Sequence, residues 1–202
     1  MKNKIVHDAL VLTAITLISG FLLGLVFEVT KEPIKAAEDA KQQAAYKEVF
    51  QDADQFEAYA DYEEGSATKA AADAGFDKDT IDGVQTALDS SGNPIGYVIT
   101  VTSNEGSQAN ITLSVGITNE GVVNGYATTA ISETPGLGMK VNDDSFKSQF
   151  EGKSEETYSV TKSPATSDSE IESISGATIS SRAVTNAVNA ALAYFRSIGG
   201  GK

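Results

Sequence analysis

The side chains best suited to chemistry are the small hydroxyls of one segment, Ser173–Val184, which reads SISGATISSRAV. It opens the last helical pattern of the chain, and a helix start offers unpaired N–H groups and partial positive charge to a phosphate. Gly176 and Ala177 leave room for a close approach, and Arg182 has a fork geometry that matches phosphate. The available hydroxyls belong to Ser175, Thr178, Ser180 and Ser181. An ordinary hydroxyl cap of the helix would use one of them, so both interpretations stay open.

Several other kinds of chemistry are excluded by composition. The sequence has no cysteine, and its single histidine is His7. Thiol chemistry, protein-ligated iron–sulfur clusters, ordinary zinc sites and most catalytic triads are therefore excluded. The carboxylates lack the spacing of a calcium loop. We expect no catalytic residue and no metal site in this chain, and a function that depends on an imported cofactor.

A membrane anchor is predicted near the N-terminus. Ala9–Phe27 is a run of 19 residues without a charge, and as a helix it would span about 28 Å, close to the thickness of the hydrocarbon core. A cleaved signal peptide is the alternative, but the run is longer than a usual signal core and no small-residue cleavage site follows Phe27. We expect a tail at 1–8 and a transmembrane helix at 9–29. His7 then lies at the membrane interface without a special function.

The charge distribution places the rest of the chain outside the cytoplasm. Net charge is −13, and residues 1–27 carry +1 from Lys2, Lys4 and Asp8, so the remainder carries −14. Such an acidic domain would repel nucleic acid and anionic lipid, which argues against nucleic-acid binding. Basic residues flank the anchor almost equally, so the positive-inside rule alone does not orient it.

An α+β domain is predicted after the anchor. Residues 30–81 are expected to form a stalk helix, extending to about Phe56, and an acidic connector with irregular or short helical structure. Residues 82–198 form the domain, and 199–202 a tail. Four stretches rich in β-branched residues, separated by hairpin-type turns, predict an antiparallel sheet. They are Gly83–Asp89, Gly96–Asn104, Ala109–Thr118 and Gly121–Ile131.

Helices are expected to flank this sheet. Asn142–Lys153 has an acidic start and two phenylalanines four residues apart, which favours a helix. Tyr158–Ser163 is expected to be a short strand. In the final helix, Val184, Val188, Leu192 and Phe195 share one apolar face. Strands first and helices at the flanks give one sheet with helices packed on it.

The sequence ESISGATIS resembles the flavinylation motif of the family that contains the G subunit of the Rnf electron-transport complex and the C subunit of the Na⁺-translocating NADH:quinone reductase. In that family the threonine after Gly-Ala carries FMN through a phosphoester bond, and the matching residue here is Thr178. The other matching positions are Ser175, Gly176, Ala177 and Ser180. Glu172 stands where the family usually has aspartate, which retains the carboxylate.

A second segment, SETPGLGMK at Ser132–Lys140, resembles the family's ETPGLG loop, which lies against the flavin. The resemblance implies that this loop lines the flavin pocket, with Leu137 packed on the ring. The candidates are Glu133, Thr134, Pro135, Gly136, Leu137, Gly138 and Lys140. Alone, a Pro-Gly turn would be unremarkable in a loop. Two motifs in the family order after a membrane span carry the resemblance, which covers about Asp82–Phe195 and the anchor.

The resemblance implies a membrane-anchored electron carrier with covalent FMN. A dedicated flavin transferase would attach FMN from FAD to Thr178 and release AMP. The partners would be the other membrane, iron–sulfur and flavin subunits of an Rnf-type ferredoxin:NAD⁺ oxidoreductase coupled to Na⁺ or H⁺ translocation. The short chain favours the Rnf subunit over its quinone-reductase equivalent. Two further alternatives remain: a stand-alone extracellular electron-transfer flavoprotein, and a non-redox anchored scaffold whose SGAT is only a helix cap.

Overall fold

The computed structural model describes residues 2–200. Met1, Gly201 and Lys202 lie outside the described residues, and with them the first residue of the expected N-terminal tail and the end of the expected C-terminal tail. Contacts divide the chain into two units, Met1–Gln42 and Gln43–Lys202. The second unit starts well before residue 82, where the sequence places the start of the domain.

The first unit is one helix, part of α1 (Lys2–Val49). Its large apolar side chains between Ile5 and Ile34 are exposed, and its length and composition suit a bilayer span. Hydroxyls within it bond back to helix carbonyls: Thr13 donates to Ala9 O at 2.8 Å and Thr30 to Val26 O at 2.8 Å. Such bonds keep polar groups satisfied where lipid offers none.

The second unit contains a five-stranded antiparallel sheet in simple sequential order. Its strands are β1 (Gln55–Ala58), β2 (Asp79–Leu88), β3 (Pro94–Ser103), β4 (Ile111–Thr118) and β5 (Val123–Ala130). The four predicted strands and their antiparallel pairing are confirmed. Strand β1 is a correction, because the helix expected to reach Phe56 ends at Val49 and residues 55–58 pair with β2.

One face of the sheet packs against α2 (Glu64–Asp73) and α4 (Thr178–Ser197). The predicted apolar face of α4 is fully inside this core, as Val184, Val188, Leu192 and Phe195 are each at most 1% exposed. Ile99, Val101, Leu113 and Val115 meet it from the central strands. Removal of this apolar surface from water is the main force that fixes α4 on the sheet.

The opposite face is covered by the last turns of α1, within the second unit. Tyr46, Val49 and Phe50 are each 4% exposed there, packed with Val98 and Ala127 of the sheet. Close approach requires glycine in the strands. A Cβ on Gly116 would lie 2.8 Å from Val49 Cβ, and one on Gly96 would lie 2.5 Å from Phe50 Cζ.

The segment after the sheet differs from the expected helix at Asn142–Lys153. A 3₁₀ turn (Gly138–Asn142) is followed by the single-turn α3 (Asp144–Lys147). The helix stops because the next residues serve other contacts: Gln149 pairs with the backbone of Glu172 through its side-chain amide. The expected strand near Tyr158–Ser163 is β6 (Ser159–Thr161), parallel to β7 (Glu170–Glu172).

Candidate functional site

A cavity of about 340 Å³ lies between the two segments singled out from the sequence. Its lining consists of Ser107, Glu133, Thr134, Leu137, Gly138, Gly176, Ala177, Thr178, Ile179 and Ser180. The first segment follows β5 and the second precedes α4, so the sheet and the helix packed on it hold the two walls. A volume of this order is typical of small-molecule and cofactor sites.

The first wall is a turn that folds back on Thr134. The N–H groups of Leu137 and Met139 both donate to Thr134 O, at 3.1 and 3.2 Å. Gly136 has φ +74°, a left-handed conformation that glycine adopts without strain. Gly138 is required for a different reason: a Cβ there would lie 2.5 Å from Glu133 Oε2 and 2.6 Å from Ser180 Oγ.

The second wall is a β-turn over Ile174–Ala177 that leads directly into α4. The Ala177 N–H donates to Ile174 O at 2.9 Å, and Gly176 at the third position has φ +79°. A left-handed third residue is what a type II turn requires. A Cβ on Gly176 would lie 3.2 Å from Leu137 Cδ2, so the two walls meet here.

Helix α4 begins at Thr178, and the residue that caps it is Ala177, without a side-chain cap bond. The interpretation of the serine-rich segment as an ordinary hydroxyl cap is therefore wrong. The first N–H groups of the helix, at Thr178, Ile179 and Ser180, find no acceptor within residues 2–200. The mouth of α4 is thus an anion-friendly wall of the cavity.

Glu133 joins the two walls. Its carboxylate accepts a hydrogen bond from Ser180 Oγ at 2.9 Å on Oε2 and from the Gln108 N–H at 3.1 Å on Oε1. Both Glu133 and Ser180 are buried. Two neutral donors thus hold a buried carboxylate, which forms no ion pair in the described part of the chain.

The hydroxyls near the cavity differ in availability. Ser180 and Ser181 are buried, and both hydroxyls are already bonded. Three hydroxyls line the cavity and bond nothing else in residues 2–200, those of Ser107, Thr134 and Thr178. Of these, Thr178 alone stands at the start of a helix, beside the unpaired N–H groups.

Some predicted residues lie away from the cavity lining, namely Ser175, Pro135, Gly136 and Lys140, all exposed. Arg182 is also exposed and outside the lining. Two lining residues were missed by the sequence reasoning. Ser107 comes from the turn between β3 and β4, which no local pattern connects to the site. Ile179 occupies a variable position of the motif, where an apolar residue at a hydroxyl-rich helix start was the available signal.

Apolar side chains are exposed at the rim of this polar cavity. Ile179 is 56% exposed and Leu137 is 43% exposed, and the other exposed large apolar residues in the described chain all lie between Ile5 and Ile34. Exposed apolar surface beside a pocket typically marks a binding surface. The site therefore combines an anion-friendly floor with an apolar rim.

Comparisons with known proteins agree with this geometry. The family model described as FMN-binding domain matches residues 106–193, which include both walls of the cavity. The family model described as RnfG N-terminal region matches residues 1–49.

Three relatives carry related names, each as the G subunit of a complex. That of the ion-translocating oxidoreductase complex of Methanosarcina acetivorans is 30% identical over 194 residues, 96% of this chain and 95% of the relative. That of the proton-translocating ferredoxin:NAD(+) oxidoreductase complex of Clostridium ljungdahlii is 30% identical over 202 residues, 100% of this chain and 97% of the relative. That of the Na(+)-translocating ferredoxin:NAD(+) oxidoreductase complex of Acetobacterium woodii is 33% identical over 111 residues, 54% and 53% of the two chains.

Among solved structures, the crystal structure of Shewanella oneidensis NqrC matches with a TM-score of 0.48 and 22% identity, over 56% of this chain and 57% of that one.

Proposed function

The chain belongs to the family formed by the G subunits of ion-translocating oxidoreductase complexes, and on that premise we propose a membrane-anchored electron carrier of an Rnf-type ferredoxin:NAD⁺ oxidoreductase, with FMN held covalently on Thr178. The family resemblance inferred from the two motifs is confirmed. Relatives that carry the G-subunit name and match along nearly their whole length favour this role over the quinone-reductase equivalent and over a stand-alone flavoprotein.

One observation carries the assignment of the site. The cavity brings both motif segments together around the unbonded hydroxyl of Thr178, at the mouth of α4. The residues fit FMN chemically: the unpaired N–H groups of Thr178, Ile179 and Ser180 suit a phosphate. Leu137 and Ile179 offer apolar surface to a flat ring. A scaffold whose SGAT serves only as a cap loses its support, because no hydroxyl caps α4.

Attachment is a phosphoryl transfer to this chain. The Thr178 oxygen forms a bond to the FMN phosphorus of FAD, the pyrophosphate bond breaks, AMP leaves, and the hydroxyl proton is released. Thr178 is therefore an acceptor and not a catalyst, and a dedicated flavin transferase is the partner for this step. Ser180 is unsuitable as acceptor because it is buried and bonded to Glu133.

FMN, when bound, supplies one- and two-electron redox chemistry at its ring. The chain's own residues position the cofactor. The start of α4 holds the phosphate end, Glu133 fixes the two walls relative to one another, and Leu137 and Ile179 cover part of the ring and exclude water from it. A covalent tether retains a cofactor that diffusion would otherwise remove outside the cytoplasm.

The anchor helix fits a subunit of a membrane complex, and we place the domain on the extracytoplasmic side. The acidic character of the domain and the absence of cysteine from the sequence support that side. The partners are the other Rnf subunits, including iron–sulfur and flavin proteins. The anchor has no internal charge for an ion path, so Na⁺ or H⁺ must cross the membrane through another subunit.

Covalent flavin is tested by co-expression of the full chain with a flavin transferase and measurement of its intact mass. Wild type should gain the mass of one FMN less water, and Thr178→Ala should gain none. Thr134→Ala is the matched control, since it removes another unbonded hydroxyl of the same cavity, and it should be modified like wild type. An unmodified wild-type chain, or a modified Thr178→Ala chain, would overturn the attachment site.

Assembly is tested separately. The tagged full chain, expressed in its native host, should co-purify with the other subunits of the complex from detergent extracts. Retention of flavin on a chain that purifies alone would favour the stand-alone flavoprotein.

A further inference from the structure

Ser181 makes the contacts of a latch between α4 and the turn before it. Its side chain is 0% exposed. The Oγ accepts a hydrogen bond from the Ile174 N–H at 3.0 Å and donates one to Ala177 O at 3.0 Å. Ile174 and Ala177 are the first and last residues of the β-turn, so one hydroxyl holds both of its ends.

This latch replaces the missing helix cap. A standard cap lies before the helix and bonds its first N–H groups, which would fill the mouth of α4. Ser181 is instead in the first turn and bonds backward, so the N–H groups of Thr178, Ile179 and Ser180 stay unpaired. The turn is fixed without use of the groups that face the cavity.

The alternatives for the Ile174 N–H are poor. Ile174 packs against the main core, and Ser181 Oγ is the acceptor its N–H has in the described chain. Loss of that acceptor would leave a partly buried donor unsatisfied, which disfavours the closed turn. The turn would then open more often, and Thr178 directly follows it.

We infer that Ser181 is a positioning residue for flavin attachment, a role that rests on the covalent function proposed above. It holds the Ile174–Ala177 turn closed, and the closed turn presents the Thr178 hydroxyl at an uncapped helix mouth. A transferase that acts on the closed form meets fewer competent acceptors when the latch is absent. The apparent affinity for the acceptor falls with the competent fraction, so the effect appears mainly in KM.

The test compares Ser181→Ala with Thr185→Val in the full chain in detergent. Thr185 is a matched control one turn later on the same helix. It is equally buried, and its hydroxyl donates only to Ser181 O at 2.9 Å, without contact to the turn. Ser181→Cys is a second variant that refills the space of the hydroxyl with a weak hydrogen-bonding group, in case the alanine variant fails to fold.

Two measurements are made. Hydrogen exchange of the Ile174 amide should be about tenfold faster in both Ser181 variants than in wild type, as expected for loss of one buried hydrogen bond. With purified transferase and FAD, the KM for these chains as acceptors should rise by about the same factor with little change in kcat. Thr185→Val should match wild type in both measurements.

Unchanged exchange at Ile174, or transfer kinetics equal to wild type in folded Ser181 variants, would overturn the role of Ser181 alone. A wild-type chain that accepts no flavin would overturn the proposed function and the role of Ser181 in it. The two failures are therefore distinguishable.

Discussion

The Ser180 hydroxyl donates to Glu133 Oε2 at 2.9 Å, and this bond connects residues 47 positions apart in the chain. It links the loop after the sheet to the first turn of α4, and Gln108 supplies a third point of attachment through its N–H. Glu133 thereby fixes the spacing of the cavity walls. A residue matched from a family motif acquires a physical task from this contact.

Replacement of Glu133 by alanine should loosen the cavity. Two donors would lose their acceptor in a buried position, at a cost of about 1–3 kcal/mol each in unfolding free energy. Urea unfolding should show this loss, and the flavin of the loaded protein should become more mobile in fluorescence anisotropy. Glu120→Ala, an exposed carboxylate without a hydrogen bond in the described chain, should leave both unchanged. Equal behaviour of the two variants would contradict the bridging role.

Gly138 should tolerate no side chain. In Gly138→Ala the added Cβ meets Glu133 Oε2 and Ser180 Oγ at 2.5 and 2.6 Å, and overpacking of this kind costs about 1–3 kcal/mol. We expect a lower unfolding free energy and weaker flavin retention. Gly65→Ala is the control, because α2 leaves open space at that Cβ and alanine favours a helix. That variant should be as stable as wild type or more so.

Asp79 should make stability fall as pH rises. It is 1% exposed, neither carboxylate oxygen has a hydrogen-bond partner in residues 2–200, and burial raises its pKa from 3.8 to about 7. Ser103 partly offsets the effect of burial, whereas Glu105 and Asp77 add to the rise in pKa. The folded state thus binds the proton more tightly, so its contribution is full below about pH 4 and is lost as pH rises through 7.

Asp79→Asn removes this titration. Relative to wild type, the variant should gain unfolding free energy between pH 4 and 8, up to about 4 kcal/mol. Urea unfolding across that range, with Asp77→Asn as an exposed control, gives the comparison. A difference between Asp79→Asn and wild type that does not change with pH would show that Asp79 is ionised throughout.

Ile179 should cover the flavin ring. Its 56% exposure beside the cavity has no structural purpose in the chain itself, so Ile179→Ala should leave the unfolding free energy of the flavin-free protein within about 0.5 kcal/mol. In the loaded protein it should lower flavin anisotropy and shift the flavin absorption toward that of free FMN. Ile34→Ala, an isoleucine of similar exposure in the other unit, should alter neither. The same flavin signals in all three proteins would place the ring elsewhere.

The fold was largely readable from the sequence because its signals are local. β-branched stretches between turn residues located the four long strands, and the period of Val184, Val188, Leu192 and Phe195 located the buried face of α4. The uncharged run Ala9–Phe27 indicated the anchor. Short elements were not readable: β1 exists because β2 offers it an edge, and α3 is cut short because Gln149 bonds to β7 instead.

For the site, the sequence by itself determined the residue types and the order of two motifs, and it nominated Thr178 by resemblance. The tertiary structure decided which hydroxyls remain free. Ser180 and Ser181 look equivalent to Thr178 in sequence, yet one is bonded to Glu133 and the other to the turn at Ile174. Hydrogen-bond partners distant in sequence leave no local pattern, because they depend on which elements the fold brings together, and this is why only the folded chain separates the acceptor from its neighbours.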